Sequence, residues 1–453
     1  MGTQRAGRLA VASTTAPALS IALEKLSLTE AASAIRMGRI TSERLMQSYL
    51  QRIDERDATV GAWAHLDAER ALAMAQAKDA QECLGPLHGV PIGVKDVINT
   101  AGMPTRYGSP IFGHHVPSLD AACIASLRQA GAIIIGKTVT AEFATYHPGR
   151  TANPLNPDHT PGGSSSGSAA AVADFQVPAA LGTQTAGSVV RPASFCGVVG
   201  FKPSIGRYCT DGVLDTSPHL DTLGFFVRCI DDAILLDAVL AEGQQEDVQL
   251  SEFPTVGICQ SPAWPTASAE MKECLGEAAQ RLQKQGAQTK SIMLPGIFDQ
   301  LGAAQSLIHA REAADFLGPI VDRNVSQVSA ALIDFIQLGR SFADTDYGQA
   351  LELQSECSSQ FNRAIEGVDV LLTPAAPGTA PEGLAATGSP DFCRIWTALG
   401  MPCITFPVAA ATNQLPLGLQ LVGRIDQDRQ LLQMAARIQP AISLWRSPLA
   451  SFT

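Results

Sequence analysis

The 453-residue sequence lacks any apolar run of the 18 or more residues that a membrane-crossing helix needs. It has no lysine or arginine cluster, and a formal net charge of -11 works against a phosphate-rich partner such as tRNA or DNA. Metal-binding patterns are missing too, because the ten cysteines are scattered, without a CxxC pair or a Cys/His ligand spacing. At this length they do not read as a secreted disulfide framework, so reduced thiols and a cytoplasmic location are expected. Leu9 to Leu23 follows Arg5 and Arg8 in the manner of a secretion signal, but Ser13, Thr14, Thr15 and Pro17 interrupt it. Residues 1–24 are therefore expected to be a flexible tail. Internal repeats and long low-complexity segments are also absent. With 46% hydrophobic and 17% charged residues, what remains is a globular chain with a large core. Its expected ligand is small, with neither nucleic acid nor membrane as partner.

Regular structure is legible from Ser27 onward. Ser27 and Glu30 have capping-box spacing and Gly38 closes the helix they start. A second helix follows Thr41, with Leu45, Tyr49 and Ile53 on one face, and a third covers Ala68 to Asp79. Val90, Ile92 and Val94 alternate as in a strand, which places Lys95 at the strand's end. Asp120 to Gln129 reads as a helix and Ala132 to Ile135 as a buried strand, the alternation of an α/β protein. Gly131 to Thr138 satisfies the P-loop pattern in letters only, since a helix precedes it and its intervening positions are strand-like. Residues 198–203 read as a strand, 221–226 as a loop returning to the core, and Asp231 to Leu240 as a helix. From about 243 to 362 the pattern becomes helical, including Ala269 to Gln285 and Ser329 to Phe342. Strands resume at Asp369, Cys403 and Leu417.

The densest signal is Pro161-Gly162-Gly163-Ser164-Ser165-Ser166-Gly167-Ser168, followed by an alanine-rich helical run and then by Gly182 to Ser188. Glycines beside small hydroxyls let backbone approach a ligand closely, and the first turn of the helix offers N–H groups to an anion. A Ser/Gly linker has the same composition, but the apolar flanks Ala169–Val172 and Val177–Leu181 argue against one.

Three readings fit these residues. In the first, Gly163 to Gly167 matches G-x-S-x-G, with Ser165 as nucleophile and His219 and Asp221 as partners, although a loop rather than a strand precedes it. In the second, a lysine amine draws a proton from serine, and Lys95 at the end of an apolar strand is the best placed. In the third, the serines form a binding nest without turnover.

Gly89 to Asp96, Pro161 to Val172, Gly182 to Ser188 and Pro192 to Pro203 together resemble the amidase signature family, in the right order and most densely from Leu87 to Gly224. The resemblance implies a Ser, cis-Ser, Lys triad, with Ser188 as nucleophile, Ser164 as the bridging serine on a cis peptide bond, and Lys95 as general base. It also implies an oxyanion hole from the backbone of Thr185, Ala186, Gly187 and Ser188. Two features depart from the family pattern. Many relatives carry Asp four residues before the nucleophile and Arg two after it, where this chain has Gln184 and Val190, with Arg191 one position later. Both halves of an ion pair are thus replaced together, which withdraws that support from the oxyanion loop and leaves the triad intact. Ala186 also stands where Gly is usual.

The expected architecture is a single α/β/α amidase-signature domain over 25–453, with a mixed, mainly parallel sheet, a signature core at about 85–230, and the helical region 243–362 shaping the pocket. The expected activity is hydrolysis of the C–N bond of a small amide or carbamate through an acyl-enzyme, without metal or cofactor, by a monomer or homodimer. Tyr107, Phe143, Tyr146, Phe316, Phe335 and Trp396 are candidates to line an apolar pocket, each with core packing as the alternative.

Overall fold

The computed structural model describes residues 22–241 and 252–451. The expected tail lies outside these residues as far as position 21, and Leu23–Lys25 form a 3-10 turn. Helix Leu28–Arg36 starts at a complete capping box, in which Ser27 Oγ accepts from the Glu30 amide at 3.2 Å and Glu30 Oε2 accepts from the Ser27 amide at 2.8 Å. Helices Ser42–Val60 and Ala68–Asp79 follow, capped by the side chains of Thr41 and Asp67.

The strands are β1 (Trp63–Leu66), β2 (Pro91–Lys95), β3 (Ile133–Thr138), β4 (Ala179–Gln184), β5 (Val199–Lys202), β6 (Thr222–Val227), β7 (Val256–Cys259), β8 (Thr289–Ile292), β9 (Val370–Pro374), β10 (Cys403–Ala410) and β11 (Pro416–Val422). Among the described residues they form one mixed sheet in the order β1-β3-β2-β4-β6-β5-β10-β11-β9-β7-β8. Parallel pairing, expected to predominate, is confined to β3–β2–β4 and β9–β7–β8. The other neighbouring pairs are antiparallel. Short connections account for part of this, since antiparallel neighbours such as β10 and β11 need only a tight turn. Alternate residues feed two layers. In β3, Ile134 joins the core beneath helices Leu28–Arg36, Ala122–Gln129 and Asp428–Ile442, while Ile133 and Ile135 join the opposite core with helix Ser166–Ala173. Helices therefore cover both faces.

Two stretches differ from the sequence reading. Residues 222–227 are strand β6 rather than a loop; Gly224 sits there because a Cβ would collide with the carbonyl of Phe201 on β5. The region read as helical contains β7 and β8, joined through helix Ala269–Lys284, and residues 243–251 of it lie outside the described residues. The P-loop lookalike is strand β3, and Lys137 is buried, donating to Ile98 O and to Thr105 Oγ1 at 2.9 Å.

Candidate active site

Parallel pairing of β2 with β3 and β4 brings the end of β2 beside Thr183. Lys95 has no exposed surface; its Nζ lies 2.8 Å from Ser164 Oγ, 2.7 Å from Thr183 Oγ1 and 3.4 Å from Thr183 O. All three partners are uncharged. Burial pushes the Lys95 pKa down to about 7, against the opposing pull of the Asp221 charge. Near neutral pH a substantial share of this amine is therefore unprotonated and has a lone pair to offer.

The serine run is anchored rather than linker-like. The Gly163–Ser164 peptide bond is cis. Ser164 O accepts from the Ala141 amide at 3.1 Å, and Gly163 O accepts from Arg191 Nη2 at 2.6 Å. Ser168 Oγ bonds to Thr138 Oγ1 at 2.6 Å and to Leu181 O at 2.8 Å, tying helix Ser166–Ala173 to β3 and β4. Gly167 has no room for a side chain, because a Cβ would run into Ala62 O and Val139 N. Ser165 is buried, with its hydroxyl held by both the carbonyl and the amide of Thr183 at 3.1 and 3.3 Å. His219 pairs instead with Glu312, and Asp221 accepts from Thr185 Oγ1, Thr216 and Ser217. The Ser165, His219, Asp221 arrangement is thus not assembled.

Ser188 lies between β4 and helix Val190–Cys196, 8% exposed. The loop before it is held by its carbonyls: Thr185 O accepts from Gln305 Nε2 at 2.9 Å, Ala186 O from Thr397 Oγ1 at 2.8 Å, and Gly187 O from the Arg191 amide at 3.0 Å. Among the described residues, the amides of Ala186, Gly187 and Ser188 donate to no protein acceptor. Successive free amides of this kind are donors suited to an anionic oxygen. Ala186 stays out of the left-handed region, so its Cβ adds no backbone strain there. The replaced pair has two separate substitutes. Gln184 Oε1 accepts from the Val189 and Val190 amides, and Arg191 reaches Gly163 O and Thr387 Oγ1.

Among the aromatic candidates, Phe143 and Phe335 share one apolar cluster with Tyr107 packed against it, and Trp396 belongs to another. Tyr146 is 44% exposed and meets the buried Phe335 edge-on at 4.9 Å. Phe143 is buried against Phe112, which in turn packs edge-on against Tyr107, whose hydroxyl donates to Asn99. Phe316 is exposed on helix Leu301–Arg323, and Trp396 is fully buried against Phe361 in the core. Several supporting residues were not anticipated from the sequence. Gln305, Arg394 and Thr397 act across 89 to 211 positions, beyond the reach of any local spacing. Thr183, by contrast, lies inside the Gly182–Ser188 motif, and its side of β4 could have been read from strand alternation.

The fold and its relatives place the chain among hydrolases that act on carbon–nitrogen bonds. Residues 44–432 match the family described as Amidase, and the chain belongs to that family. It is 31% identical to one of the subunits of the glutamyl-tRNA(Gln) amidotransferase of Synechococcus sp. (strain WH7803), over 94% of this chain and 99% of that protein. Among solved structures it resembles one described as "Crystal structure of amidase", with 29% identity, a TM-score of 0.85, and coverage of 92% of this chain and 100% of that one. It also resembles the native peptide amidase from Stenotrophomonas maltophilia, with 25% identity, a TM-score of 0.82, and coverage of 94% and 99%. No helix among the described residues is long and apolar enough to cross a membrane.

Proposed function

We propose that the chain cleaves the C–N bond of a small amide or carbamate through an acyl-enzyme on Ser188, with Lys95 as base and Ser164 as relay. Neutral Lys95 takes the proton of Ser164 as Ser164 takes that of Ser188, and the Ser188 oxygen attacks the carbonyl. The developing oxyanion lies against the amides of the Thr185–Ser188 loop, each donor worth about 3 kcal/mol in reactions of this kind. The relay then reverses, the amine leaves protonated, and water repeats the sequence to release the acid, or carbon dioxide and alcohol from a carbamate. The observation that carries this reading is the 2.8 Å approach of a fully buried, charge-unpaired Lys95 Nζ to Ser164 Oγ. A purely structural buried lysine is ordinarily paired with a carboxylate, whereas Lys95 is met by two hydroxyls and a carbonyl.

The test is intact-mass spectrometry after exposure to a fluorophosphonate. The wild type should gain one adduct, Ser188→Ala none, and Lys95→Ala should label at least about 10²-fold more slowly. No adduct on the wild type would leave the serines as a binding nest.

A second reading is favoured by the amidotransferase relative, which matches nearly the whole chain. In it the nitrogen released from an amide would pass to an acceptor bound elsewhere, with this chain as one component of an assembly. Free ammonia or amine released by the purified chain alone, at a rate that neither an acceptor nor a partner protein increases, would decide for the hydrolase.

A further inference from the structure

His309 is 5% exposed, and neither ring nitrogen has a hydrogen-bond partner among the described residues. A neutral imidazole carries one donor and one acceptor, and leaving either buried and unpaired is unfavourable. Its neighbours on helix Leu301–Arg323 are satisfied: Gln305 bonds to Thr185 O and Arg394, and Glu312 to Ser217, His219 and Tyr347. His309 is thus the unpaired member of a polar row at one-turn spacings. It packs edge-on to Phe335 at 4.9 Å and lies 6.5 Å from Tyr146, which is itself partly open to solvent. Two links tie this cluster to the serine loops: Gln305, one turn earlier, donates to Thr185 O, and Tyr146 lies within electrostatic reach of Arg191, whose Nη2 donates to Gly163 O.

We propose that His309 is a specificity-determining residue of the substrate pocket, hydrogen-bonding an uncharged polar group on a substrate whose flat apolar body lies against Tyr146 and Phe335. The inference rests on the reading of Ser188 as nucleophile and adds a substrate class to it: aromatic amides or carbamates with a second neutral hydrogen-bonding group. Burial and the Arg394 charge push the His309 pKa down to about 3, so the ring stays neutral at ordinary pH and can both donate and accept. The buried Arg191 and the nearby Arg394 disfavour a cationic substrate group here.

The experiment compares the rate at which phenylmethylsulfonyl fluoride and its 2-, 3- and 4-carboxamide ring derivatives label Ser188, read by intact mass. At least one carboxamide isomer should label the wild type about tenfold faster than the parent, the worth of one good buried hydrogen bond. His309→Phe should erase that advantage, read as the ratio of derivative to parent rate within each variant, and His309→Gln should retain part of it. An advantage that survives His309→Phe, or that the wild type never shows, overturns the inference while the nucleophile stands. If His309→Phe does not fold, an undiminished advantage in His309→Gln and His309→Ala overturns it equally. Absence of labelling by every probe removes the reading of Ser188 and this inference with it.

Discussion

Gln184 Oε1 accepts the backbone amide of Val189 at 2.9 Å, a bond across five residues that closes the loop carrying Thr185 to Ser188. The same oxygen accepts the Val190 amide at 3.0 Å, and Gln184 Nε2 donates to Thr397 Oγ1, whose hydroxyl supports Ala186 O. A neutral side chain thus stands where the family pattern has half of an ion pair, and it supports the loop from inside. Gln184→Leu strips the acceptor from two buried amides at about 1–3 kcal/mol each. Ser188 labelling should slow at least about tenfold and the melting temperature should fall. Gln184→Glu keeps the acceptor and should retain more of the rate; equal losses in the two variants would contradict this role.

The pH profile follows from Lys95. Only the neutral amine can accept the Ser164 proton, and the folded pKa is lowered to about 7. The labelling rate should climb about tenfold per pH unit below about pH 6 and level off above about pH 8. Lys95→Arg, which stays charged throughout this range, should be inactive at every pH. A profile flat from pH 5 upward would count against Lys95 as the base.

Asp221 offers a test in which two observables separate. Its charge raises the Lys95 pKa, while its carboxylate accepts from Thr185 Oγ1 at 2.5 Å and from the Thr216 and Ser217 amides at 2.7 and 2.8 Å. Asp221→Asn removes the charge, so the midpoint of the pH profile should move to lower pH. It also turns an NH2 group toward donors that need an acceptor, so the plateau rate should fall. A midpoint that stays in place would show that the charge of Asp221 does not reach Lys95.

What the sequence made legible follows the range of the forces involved. The Ser27–Glu30 box, the helix Ala68–Asp79 and the placing of Lys95 at a strand end are set by neighbours within a few residues, and each stands as expected. Strands β7 and β8 escaped notice because each has four residues, and Thr289–Ile292 sits at the sheet edge with a largely polar sequence. Gly224, in the stretch read as a loop, answers to Phe201, a residue on another strand. Gln305 and Thr397 meet the Thr185–Ser188 loop only because helices Leu301–Arg323 and Asp391–Ala398 come back to it from far along the chain, which no local pattern encodes.

Lys95 should also leave a signature in stability. Its folded pKa of about 7 lies below its unfolded value near 10.5, so between these limits the unfolded chain binds more protons than the folded one. The contribution of this group to stability therefore rises with pH across that window and is least favourable below about pH 7, where a charged ammonium must be buried. Lys95→Met removes the titration and keeps much of the side-chain volume. Its melting temperature relative to wild type should be highest near pH 6 and decline steadily toward pH 10, whatever constant offset follows from losing the Ser164 and Thr183 contacts. Differential scanning calorimetry of both proteins across that range reads the difference directly. A difference that does not change with pH would mean that Lys95 titrates alike in the folded and unfolded chains, and the neutral-amine mechanism would lose its physical basis.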